Sequence, residues 1–73
     1  MFYTYILRSQ LNGSYYIGSC ENLGKRVKQH NLGLVAATKR YIPWQLVHKE
    51  TFHDLSGARK REAQIKSWKK RSA

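Results

Sequence analysis

Two short runs of aromatic and β-branched residues, Phe2–Leu7 and Tyr15–Ser19, lie either side of Asn12-Gly13-Ser14. Such runs suit pleated strands, and an Asn-Gly-Ser cluster is a turn signal. The sequence therefore predicts a β-hairpin with a loop of several residues. In a chain of 73 residues that hairpin commits a large share of the only core available. A chain this short buries about 60% of its unfolded surface, so it is expected to form a single domain over residues 1–73.

The remaining elements follow in order. Asn22 is a good N-cap for a helix running to about Asn31, with Gly33 as its stop and Leu23 and Val27 as its apolar stripe. Leu34 to Pro43 reads as an irregular loop carrying Lys39, Arg40 and Tyr41. Trp44 to Phe52 is a third strand centred on Leu46 and Val47. Asp54 or Ser56 caps a second helix through about Trp68, and a basic tail follows. The order β-β-α-β-α predicts an α+β fold, a small sheet with helices packed on it.

Charge narrows the function. Fourteen Lys and Arg face four Asp and Glu, a formal net charge of +10. Nucleic acid is the first expected partner, because Lys and Arg release condensed counterions from phosphates. The lone Cys20 rules out a disulfide framework and a cysteine-rich zinc site, and fits a reducing cytoplasm. No apolar run approaches the roughly 20 residues of a membrane span, and no signal peptide is visible. A monomer is the default expectation.

Among so few acids, the position of each matters. Glu21 and Asp54 read as helix-start residues, and Glu50 as part of an exposed strand surface. Glu62 differs: it falls within the stripe Leu55, Ala58, Ile65, Trp68 at about 100° per residue, and so points inward. An ion pair with a neighbouring arginine and a divalent-ion ligand both fit that position. Arg26 and His30, four apart on the first helix, fit either a solvated helix edge or a phosphate clamp. Trp44 and Trp68 are expected in the core. His48 and His53 lack metal-ligand spacing.

The pattern as a whole resembles the GIY-YIG nuclease superfamily. Tyr3-Thr4-Tyr5 is followed by ten residues and then Tyr16-Ile17-Gly18, with Tyr3 standing where the family name has Gly. Arg26 follows Tyr16 by ten residues, His30 follows Arg26 by four, and Glu62 falls where the family places its metal-binding acid. Tyr16-Ile17-Gly18-Ser19, Ala37-Thr38-Lys39-Arg40-Tyr41 and Ala58-Arg59-Lys60-Arg61-Glu62 look most like small stand-alone bacterial members. They are similar to the nuclease module of the excision-repair incision subunit. Ser19 stands where active relatives often carry Lys.

The resemblance implies a three-stranded, mostly antiparallel sheet flanked by helices. It also implies a metal-dependent endonuclease acting on DNA in preference to RNA, structure-selective, in repair or processing. Tyr5, Tyr16, Arg26, His30 and Glu62 would be catalytic. Glu62 would hold Mg²⁺ or Mn²⁺, Arg26 would neutralise the phosphate, and Tyr5 would be the general base, its pKa lowered by nearby cations. His30 would accept the proton from Tyr5. Lys39, Arg40 and Gly18 would meet the nucleic acid, the lysine and arginine at flanking phosphates and the glycine by close backbone approach. The alternative is a catalytically weak or inactive binding module of the same fold.

Overall fold

The computed structural model describes the backbone of residues 1–71 and the side chains of residues 1–68. The last two residues of the expected basic tail lie outside the described residues. The elements are β1 (Phe2–Ser9), β2 (Tyr15–Cys20), α1 (Leu23–Asn31), a 3₁₀ turn (Lys39–Tyr41), β3 (Trp44–Phe52) and α2 (Leu55–Arg71).

The sheet has the order β2-β1-β3, and both pairings are antiparallel. The hairpin closes as the sequence predicts, with Gly13 at φ 77 and the Ser14 N–H donating to Asn12 Oδ1. Strand alternation then assigns the two faces. Tyr3, Tyr5 and Leu7 of β1 meet Leu23 and Val27 of α1, with Tyr16, Cys20, Leu46 and Trp44 completing that cluster. On the other face, the Thr4 hydroxyl donates to the Ala58 carbonyl of α2 at 2.6 Å, and both residues are fully buried. One helix thus covers each face of the sheet.

Caps fix where the helices begin. Asn22 Oδ1 accepts the Lys25 N–H at 3.1 Å, and Asp54 Oδ1 accepts the Gly57 N–H at 2.8 Å. A cap of this kind contributes about 1 kcal/mol. The chain leaves α1 through Gly33 at φ 76, a left-handed conformation that glycine adopts without Cβ strain. Asn31 then ties the end of α1 to the start of β3, its side chain bonding both the N–H and the carbonyl of Trp44.

Val47, expected at the apolar centre of the third strand, and Trp68, expected in the core, are both exposed. Val47 is 47% exposed. The register between β1 and β3 slips at Ile6/Leu7, pairing Ile6 with His48 and Leu7 with Leu46, so Val47 is the unpaired bulge residue. Trp68 is 51% exposed. It lies three residues beyond Ile65, the last buried position described on α2, and its ring stacks under the Arg61 guanidinium at 4.9 Å. Glu50 also departs from expectation. It is half-buried, and Arg61 reaches both its oxygens from α2, at 2.9 Å and 3.2 Å from Nε.

Candidate active site

The strand β2 is an edge of the sheet, and a cavity of about 450 Å³ opens across it. Tyr5, Tyr16, Gly18 and Arg26 line it from the α1 side, and Glu62, Arg59 and Lys66 from α2. Four of the five expected catalytic side chains therefore converge on one space. The fifth, His30, stands directly behind it.

His30 is fully buried, against any reading that left it on a solvated helix edge. Its Nε2 lies 3.0 Å from Tyr5 Oη, and its Nδ1 lies 2.7 Å from Thr38 Oγ1. The Thr38 hydroxyl donates to the Val35 carbonyl, so it accepts from Nδ1–H. That assignment leaves the Nε2 lone pair to accept from the Tyr5 hydroxyl. Burial and the Arg26 charge both hold the imidazole below its ordinary pKa, which keeps it neutral. Thr38 belongs to the segment read as irregular loop, and nothing in its spacing marks it as the partner that orients His30.

Tyr5 is only 1% exposed. Burial pushes its hydroxyl up to about 12, although Arg26 beside it pulls the other way. The Arg26 guanidinium lowers this pKa as expected, but desolvation outweighs it and the net shift is upward. Tyr16 packs against the same pair, its ring centroid 5.0 Å from His30 and 6.4 Å from Tyr5. Gly18 makes this packing possible: a Cβ there would stand 2.6 Å from Tyr5 Oη.

On the α2 side, Glu62 accepts from the Ser19 hydroxyl at Oε1 and from Lys66 Nζ at Oε2, the latter at 2.6 Å. Burial raises the carboxyl, but the bonds from Lys66 and Ser19 outweigh it and hold the group below its usual range. Glu62 is therefore ionised at neutral pH. Ser19 orients this acid.

Among the described residues no cluster of three His, Cys, Asp or Glu could hold a metal ion. An ion resting on a single carboxylate, keeping several waters and taking substrate oxygens, fits this donor set; that is how Mg²⁺ usually binds. Glu50 is less suited, since Arg61 and His48 already engage its oxygens away from the cavity.

Cations dominate the rest of the wall. Arg26 Nε is buried without a hydrogen-bond partner, and neither Arg26 nor Arg59 forms an ion pair among the described residues. A neighbouring depression shares Ser19, Arg26 and Arg59 with the cavity and adds Lys25 and Gln29. Lys39 and Arg40 are exposed on the 3₁₀ turn and line neither space. In the sequence Arg59 and Lys66 are only basic neighbours of Glu62, with no site role expected of them. Their positions three before and four after Glu62, on the same helix face, are the signal that could have found them.

Residues 1–73 match the family model of the GIY-YIG catalytic domain. A UPF0213 protein of Syntrophus aciditrophicus is 46% identical over 66 residues, covering 88% of this chain and 75% of the relative. A UPF0213 protein of Staphylococcus saprophyticus is 42% identical over 67 residues, covering 90% and 80%. One from Haloquadratum walsbyi is 40% identical over 67 residues, covering 90% and 74%. No solved structure matches. No helix among the described residues is long and apolar enough to cross a membrane.

Proposed function

Because this chain belongs to the GIY-YIG catalytic domain family, a nuclease family, we propose that it is a divalent-metal-dependent endonuclease. It hydrolyses DNA phosphodiester bonds, selecting structure over sequence, in DNA repair or processing. The observation that carries this reading is the convergence of Tyr5, Tyr16, Arg26 and Glu62 on one cavity, with His30 Nε2 behind Tyr5.

Burial pushes the Tyr5 hydroxyl up to about 12, so it is protonated at neutral pH. It therefore works by relay. As water attacks phosphorus, the water proton passes to Tyr5 Oη while the Tyr5 proton passes to His30 Nε2. Thr38 steadies the imidazolium that forms by accepting from Nδ1–H. Tyr16 packs both rings in place.

The 3′ oxygen leaves with the bonding pair and takes a proton from solvent. Arg26, which lines the cavity without an ion-pair partner among the described residues, neutralises the non-bridging oxygens. Glu62 would hold Mg²⁺ or Mn²⁺, which when bound supplies Lewis-acid stabilisation of the phosphate and the leaving oxygen. Arg59 and Lys25 grip the adjoining phosphate. Contacts of this kind orient a strand without reading bases, in keeping with selection by structure. Lys39 and Arg40 would meet more distant phosphates.

The test is cleavage of a labelled panel of duplex, single-stranded, flapped and branched DNA, with RNA alongside, in Mg²⁺, Mn²⁺ or EDTA. Metal-dependent cutting of DNA that prefers flaps or branches supports the proposal. A folded protein that binds the panel without cutting it would instead be a nucleic-acid-binding module.

A further inference from the structure

Both oxygens of Glu62 are engaged, and by very different partners. Ser19 holds Oε1 through a neutral hydroxyl, which a carboxylate oxygen can accept while it also contacts a cation. Oε2 receives the Lys66 ammonium at 2.6 Å. A divalent ion on the same oxygen would lie about 2.1 Å away. Two positive centres that close on one oxygen repel, so ion and ammonium cannot share Oε2, and an ion placed on Oε1 still meets the ammonium charge across the same carboxylate.

The Lys66 contact is built to be given up. It is a single bond from a flexible four-carbon stem, and the lysine side chain is 52% exposed. Ion pairs four apart on an exposed helix are weak. Glu50 provides the contrast, since Arg61 contacts it from Nε and Nη2 together, a fork that fixes both partners. The carboxylate in the cavity has the exchangeable cation, and the carboxylate outside it has the fixed one.

We infer that Lys66 is a tethered cation competing with the divalent ion for Glu62, so that the chain's own lysine sets the ion affinity of the site. This rests on the reading of Glu62 as the metal ligand. The freed ammonium stays on the wall it shares with Arg26 and Arg59.

The test is titration of the intact protein with Mn²⁺, followed by electron paramagnetic resonance in the absence of nucleic acid. Lys66→Met and Lys66→Gln are each expected to tighten Mn²⁺ binding roughly fivefold. Lys60→Met removes the same charge from the same helix outside the cavity, and is expected to change affinity less than twofold. Unchanged or weaker binding in both Lys66 variants overturns the inference. So does equal tightening by Lys60→Met, which would make the effect one of net charge. Glu62→Gln is expected to lose the site; if it binds Mn²⁺ as the wild type does, the reading of Glu62 as metal ligand fails first.

Discussion

Tyr5, His30 and Thr38 lie on the α1 side of β2, each 1% exposed or less and joined by two hydrogen bonds. Glu62, Arg59 and Lys66 lie on the α2 side, where both cations are exposed and the acid keeps 21% of its side-chain surface. The first group is a dry, neutral chain whose geometry is part of the core. The second is a wet, charged rim whose contacts exchange. The proton path must be fixed before substrate arrives, since a displaced hydroxyl or a wrong tautomer stops transfer. A site for an ion and a phosphate must stay open to water, because both arrive hydrated.

The comparison breaks most visibly in catalysis. Tyr5→Phe removes the hydroxyl that links water to His30, and single-turnover cleavage is expected to fall about 10²–10⁴-fold. Nucleic-acid affinity should hold, which filter binding would check. Stability should separate the two sides next. His30→Ala leaves the Tyr5 hydroxyl and Thr38 facing a void, and urea unfolding should register a loss of roughly 2–4 kcal/mol. Lys66→Met, on the open rim, is expected within about 0.5 kcal/mol of wild type.

The pH dependence sharpens the same contrast. The folded state holds His30 below its ordinary pKa, so it resists the proton that the unfolded chain accepts. Stability is therefore lost as pH falls below about 6.5. Tyr5, raised to about 12, contributes stability that is full below about pH 10 and lost as pH rises through 12. Urea midpoints measured across pH should show both limbs, and Tyr5→Phe should flatten the alkaline one. The smallest effect lies on the rim: Arg59→Gln is expected to reduce the salt slope of DNA binding by about 0.9, one phosphate contact.

The sequence made the framework legible where local chemistry decides it. Asn12-Gly13 closes the hairpin, Asn22 and Asp54 cap the helices, and Gly33 ends α1. It failed where the outcome depends on a partner far along the chain. Periodicity put Trp68 in the core, yet it projects past Ile65 and stacks on Arg61. Val47 looked like a strand centre, but the slip between Ile6 and Leu7 left it unpaired. His30 could be placed on a helix face but not buried, because its burial requires Thr38 from a segment without periodic pattern. The net direction of the Tyr5 pKa is illegible in the sequence for the same reason. Counting nearby cations leaves out desolvation, and burial is a property of the packed sheet.

The most direct test of the whole account is a double-mutant cycle on cleavage. Single-turnover rates would be measured for the wild type, Tyr5→Phe, Glu62→Gln and the double variant, on the preferred DNA at one Mn²⁺ concentration that saturates the wild type. If the buried relay and the open acid serve one transition state, the double variant should cut about as slowly as the slower single variant, since groups acting as a unit are not additive. Losses that multiply would contradict the account and make the two sides of β2 independent.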